Sequence, residues 1–368
     1  MLRRHFLLSS GLLGIAPNSF AKADDEVTYI TAAKSRLGES SFVCLNKLGN
    51  VLTEHDIAFR GHSFAHSPLQ SQAGHIAAIA RRPADFCLII DGKGNKIFEF
   101  NAQDGRHFYG HGVYSPNGDY LYLSENDYGV NGSRGVIGIY DVANNYQKVN
   151  EFDSAGIGSH EIALSRDGSQ LIVANGGVQT HPESGRKKLN LETMQPSLVF
   201  LDRVTGDLVN KAVLAPEFAT NSIRHMAVAG NGVVYVALQQ QVKSKQNCLL
   251  ASYSPQEKSL TPVELLEEHA LMLNNYVGDI TLDVSQQFLA MSSPRGDTVL
   301  LLDTVTGKVQ ALRINDVCGL VNTRVEGQFA ATSGDGRLMI IQQTGSTVEV
   351  HTVTSSTSYY WDNHISII

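Results

Sequence analysis

The sequence predicts an all-β fold, a seven-bladed β-propeller whose closing blade is shared between N- and C-terminal strands. Three observations predict it. Short runs rich in β-branched and aromatic residues recur, separated by Asn-Gly, Asp-Gly and Thr-Gly turns that take up many of the 33 glycines. These runs group into a four-stranded unit opening at His62, His111, His160, His225, Asp279, Leu320 and His364, at the spacing of propeller blades. The last opening is followed by only a few residues, so its outer strands must come from segments 27–30, 42–45 and 51–57. Joining the two ends removes exposed sheet edges. A pair of β-sandwiches would give no reason for the split final unit.

From the N-terminus the elements follow in order. Arg3-Arg4, the apolar run 6–16 and Ala21-Lys22-Ala23 read as a twin-arginine signal peptide over 1–23, with the propeller over 24–368. The apolar run is too short to span a membrane, and no later stretch is long enough. Export of the folded protein to the periplasm, with cleavage of the leader, is the expectation. The clearest blade starts at His111. Residues 113–115 lead into Pro116-Asn117-Gly118, 120–123 return, and 136–141 follow a loop at 125–135. The next blade uses 162–165, Arg166-Asp167-Gly168, 171–174 and 198–202, and Thr205-Gly206 turns the chain back. Residues 299–303 with Thr306-Gly307 repeat that pattern. In such a ring the start of each inner strand shares one end with the loops 125–135, 175–196, 239–247 and 292–298. That end is the expected binding mouth.

Removing 1–23 takes away three basic residues and no acids. It leaves 26 basic against 36 acidic side chains, a formal charge of −10 compared with −7 for the whole chain. Nucleic acid and anionic membrane surfaces are poor partners for that balance. Cys44, Cys87 and Cys248 lie in comparable apolar segments without a Cys-x-x-Cys pair, so buried free thiols are expected. The sequence contains no Cys-x-x-Cys-His, no phosphate-binding loop, no Rossmann glycine fingerprint and no Gly-x-Ser-x-Gly elbow.

Radial stacking brings His62, His111, His160, His225 and His364 to one axis. Converging imidazoles are a ligand set for a transition-metal ion such as iron or copper. Whether His160 or Glu161 faces the channel is open, because His160 sits one residue ahead of strict register. Glu161 and Asp279 occupy aligned positions, and Arg224 precedes His225. The loops add Glu125, Asp127, His181 and Arg186 as further candidate ligand-binding residues. A calcium site is not expected, since Asp-x-Asp-x-Asp-Gly is missing. Polar channel residues can instead hold ordered water. The aromatics in 106–110 and 358–362 either pack between blades or wall a planar ligand such as haem.

Several longer motifs carry a family resemblance. Arg106-His107-Phe108-Tyr109-Gly110-His111-Gly112, Glu125-Asn126-Asp127 and Val173-Ala174-Asn175-Gly176-Gly177 are three of them. Thr180-His181-Pro182, Gly185-Arg186, Met194-Gln195-Pro196-Ser197-Leu198 and Ser222-Ile223-Arg224-His225-Met226 are others. Together they resemble an exported bacterial β-propeller family of unassigned activity, over nearly all of 24–368. Members are typically encoded beside imelysin-type and di-haem peroxidase-like proteins linked to iron uptake. The resemblance therefore implies a periplasmic, iron-associated role with such proteins as partners, and it supplies no catalytic residue. The expected function is a binding propeller accessory to iron or metal acquisition, with affinity falling as pH drops through about 6.5. Two other functions fit the same residues. One is a metal-dependent hydrolase, lactonase or oxidoreductase with Glu161 or Asp279 as base. The other is a protein-interaction scaffold with an inert channel.

Overall fold

The computed structural model describes residues 26–69, 74–129, 133–185, 187–242 and 248–368. The leader 1–23, Arg186 and residues 243–247 of one long loop lie outside the described residues. Seven four-stranded antiparallel sheets form the molecule, six of them from consecutive strands. The seventh has the order β28-β1-β2-β3, with β1 at Tyr29–Ser35, β2 at Ser40–Leu45, β3 at Val51–Ile57 and β28 at Tyr359–Ile367. Tyr29 pairs with Leu45 on one side and Ile367 on the other, so the two ends of the propeller close as the sequence predicts.

The core is divided among the blade interfaces. Middle strands touch a neighbouring blade on each face, so they read as continuous apolar runs; Ile76–Ala80 and Phe86–Ile90 are buried throughout. Outer strands such as Lys96–Asn101 expose much of their surface and carry charge. Ile30, Phe42, Ala78 and Leu88 join the closing blade to the His62 blade. Val43, Leu45, Leu338 and Trp361 join it to the last blade, completing the ring. Full burial of a side chain such as Phe42 or Leu45 contributes roughly 1.5–3 kcal/mol. The four cysteines are buried and unbridged, as expected. The turns have a reason as well. Asp202 accepts hydrogen bonds from the Val204 and Thr205 amides, and Asp303 does the same for Val305 and Thr306.

Two features depart from expectation. β9 (Tyr120–Asp127) runs straight through Glu125-Asn126-Asp127 and pairs with β10 (Arg134–Asp141), so these carboxylates belong to a strand rather than a loop. A short helix, α1 (Glu267–Met272), precedes the Asp279 blade without a sequence signal strong enough to mark it.

The inner strands position the site. They are β4 (Gly61–His66), β8 (Arg106–Tyr114), β12 (Ser159–Leu164), β16 (Asn221–Val228), β20 (Asp279–Leu282), β24 (Val317–Asn322) and β28. All except β20 break register at the same end. The breaks fall between Gly61 and Ser63, Phe108 and Gly112, Ser159 and Glu161, Ile223 and His225, Val317 and Leu320, and opposite Thr31 and Ala33 for β28. An extra residue in a strand rotates its side chain out of the regular alternation. The residues inside these breaks include His62, His111, His160 and His364.

Candidate metal centre

The five histidines meet. Ring centroids lie 4.7 Å apart for His62 and His111, 4.6 Å for His62 and His364, 4.7 Å for His160 and His225, and 4.7 Å for His225 and His364. Ligand atoms of His62, His111 and His160 all fall within 4.8 Å of one another, and so do those of His111, His225 and His364. All five residues are buried. Room for this packing comes partly from Gly110, whose φ is +100° and where a Cβ would stand 2.3 Å from the His62 ring.

Two carboxylates hold the second triplet from behind. Glu161 Oε2 lies 3.1 Å from His225 Nδ1 and accepts the Met226 amide at 3.0 Å. Asp279 Oδ2 lies 3.1 Å from His364 Nδ1 and accepts the Leu320 amide at 2.9 Å. A carboxylate on Nδ1 fixes the ring and directs the Nε2 lone pair outward, the usual support for a metal-bound imidazole. The question of register at 160 and 161 is thereby resolved. The bulge lets His160 enter the ring while Glu161 reaches across to the next blade's histidine.

Electrostatics follow from this crowding. Burial, then the neighbouring imidazoles, pushes His62 and His111 well below the ordinary histidine value. His160 and His225 shift the same way, led again by burial. Burial acts the same way on His364, but Asp279 outweighs it and the value rises. Burial also pushes the Glu161 carboxyl up to about 8. Four of the rings are therefore neutral at pH 7, the form that binds metal. Four ring nitrogens, His62 Nδ1, His111 Nε2, His160 Nδ1 and His364 Nε2, are buried with no hydrogen-bond partner. Such groups cost about 1–3 kcal/mol each unless something satisfies them.

The remaining candidates separate by location. Arg224 lies at the ring, one residue before His225 on the bulge. Glu125 and Asp127 do not face the channel. Glu125 is fully buried, bonds Tyr140 at 2.7 Å and pairs with Lys148 at 2.8 Å and Arg106 at 3.2 Å. Asp127 pairs with Arg106 and Arg134. His181 caps the single turn Pro182–Ser184 by accepting the Glu183 amide and stands beside Tyr128, away from the five rings. The aromatics mostly pack: Phe108 lies among Phe100 and Tyr140, and Trp361 stacks on Tyr359. Sequence reasoning passed over Arg81, whose charge acts on His62, His111, His160 and His225. It follows directly on the apolar middle strand Ile76–Ala80, and its amide bonds the Arg60 carbonyl.

Among solved structures, the chain is similar to Kuenenia stuttgartiensis hydrazine synthase, with a TM-score of 0.59 at 16% identity, covering 86% of this chain and 90% of that one. It is also similar to a chain of a mitotic checkpoint complex, with a TM-score of 0.57 at 12% identity, covering 79% and 76% respectively. At these identities the likeness concerns the fold alone. No curated protein matches the chain. A family model does match, over residues 55–368, a span that includes all five histidines. The chain belongs to the family described as "Protein of unknown function (DUF1513)".

Proposed function

We propose that this propeller binds a transition-metal ion on its axis, as a periplasmic accessory of iron or other metal acquisition. One observation carries the reading: buried imidazoles from five blades crowd together, four of them neutral, and four of their ring nitrogens lack any partner. His111, His225 and His364 are the primary ligands, because two of them are backed by carboxylates. His62 and His160 complete the set. An all-imidazole site suits copper, iron, zinc or nickel, and iron or copper fits the proposed role best. The twin arginines at 3–4 and the apolar run after them support export to the periplasm. Imelysin-type and di-haem peroxidase-like iron-uptake proteins are the proposed partners, on the strength of the family resemblance.

The enzyme reading lacks its base. Glu161 and Asp279 are both engaged on histidines, and neither stands free beside the cluster. The inert-channel reading would have the rings turned into blade interfaces, whereas they face one another. Elemental analysis and competition titration of the purified protein test the proposal. One tightly held ion per chain is expected, and H111A/H225A is expected to lose it by at least about a hundredfold in affinity, roughly 2.7 kcal/mol. Unchanged metal uptake in that variant defeats it.

A further inference from the structure

Above the histidines, the same mouth collects positive charge. Arg81 follows a middle strand, Arg224 precedes His225, and Arg295 lies in the loop between the Asp279 blade's second and third strands. Arg295 stacks on the Tyr276 ring, with its guanidinium carbon 4.9 Å from the ring centre. Asn363 Nδ2 donates to the Tyr276 hydroxyl at 3.5 Å. Arg224 interacts electrostatically with Arg82, Tyr276, Arg81 and Tyr109, so these side chains share one neighbourhood.

The charges are not balanced by protein carboxylates. Among the described residues, Arg81, Arg224 and Arg295 form no ion pair. Asp362, the carboxylate that acts on Arg81, is itself gripped by Arg60. Glu161 and Asp279 serve the histidines. Unsatisfied donors accompany the charge. Arg224 Nε is buried with no partner, and the buried hydroxyls of Tyr109 and Thr180 have only each other. Guanidinium forks and hydroxyls left over at one opening match a small oxyanion, which would satisfy both the charge and the donors. A negatively charged protein that concentrates arginine at one opening also steers anions there.

We infer that Arg81, Arg224, Arg295, Tyr109 and Tyr276 form a site for a small oxyanion of the carboxylate or phosphate class, directly above the histidine cluster. The site stands on its own residues and does not require an ion on the axis. Calorimetric titration of EDTA-treated protein at low ionic strength, with inorganic phosphate and separately with oxalate, tests it and tells the two sources apart. One site with a dissociation constant below about 1 mM for either probe is expected. R81Q/R224Q should weaken binding by more than about tenfold, and R81K/R224K should recover part of it. R295Q, changed at an exposed position, should weaken binding by about threefold and serves if the double variant does not fold. H111A should still bind the anion, which separates this inference from the metal reading. No binding of either probe up to about 10 mM overturns the proposal. So does binding that both R81Q/R224Q and R295Q leave intact, or binding that appears only after metal loading.

Discussion

Two polar clusters in this propeller are equally dense and oppositely resolved. Across the His111 blade, Arg106, Arg134 and Lys148 face Glu125, Asp127 and Glu151, and each cation meets at least two carboxylates. At the axis, four ring nitrogens meet nothing. The first cluster is complete within the chain and holds a blade together. The second leaves four of its ring nitrogens without a partner in the chain. Polar residues in a conspicuous motif therefore say little about function until their partners are counted, and Glu125 and Asp127 illustrate this.

Three experiments sharpen or break the contrast. The largest effect should come from E125A. Removing a fully buried carboxylate that serves Lys148, Arg106 and Tyr140 should destabilise the protein by about 3–5 kcal/mol in urea denaturation, with metal content per folded chain unchanged. A loss below about 1 kcal/mol would show the network to be dispensable.

The two clusters should also fail at different acidities. His62, His111, His160 and His225 have folded values below 6.5, so below that pH the unfolded chain takes up protons the folded one refuses. Their contribution is present above about 6.5 and drains away as pH falls below it; His364, shifted the other way, offsets part of this. For the same reason metal retention should extend to lower pH than an ordinary histidine site would allow. Burial pushes Glu151 up, but hydrogen bonds from Arg106, Lys148 and Arg134 overcome this and hold it at about 2. Its contribution is whole above about 4.5 and is lost toward 2. Stability measured against pH should flatten near 6 in H111L/H225L and below 4.5 in E151Q. A single shared acid transition, moved equally by both variants, would break the distinction.

The smallest effect is the most diagnostic. H62L removes an orphaned nitrogen without leaving a large cavity, so the metal-free protein should gain about 1 kcal/mol while the thermal shift on adding metal shrinks. Destabilisation of the metal-free form by H62L would mean that His62 is satisfied after all.

Much of this was readable in the sequence. Turn dipeptides and the spacing of the openings revealed the blades, and the truncated last repeat revealed the closure. The five histidines emerged by aligning repeats, since a ring converts equal positions into neighbours. What stayed hidden has a common cause. Bulges leave no periodic trace, so the shared roles of His160 and Glu161 depended on an extra residue no pattern displays. Glu125 and Asp127 looked like loop ligands because their partners Arg106, Arg134 and Lys148 sit a strand or two away in sequence. Arg81 belongs to no motif and is defined by where its strand ends.

β28 donates His364, and Thr31 of β1 bonds the His364 carbonyl at 2.9 Å. An ion gripped by that imidazole and its counterparts on other blades would act as a rivet across the seam where the ring is zipped shut. Cargo and latch would then be one object: unloading the protein should loosen that joint, and prising it apart should release what it carries.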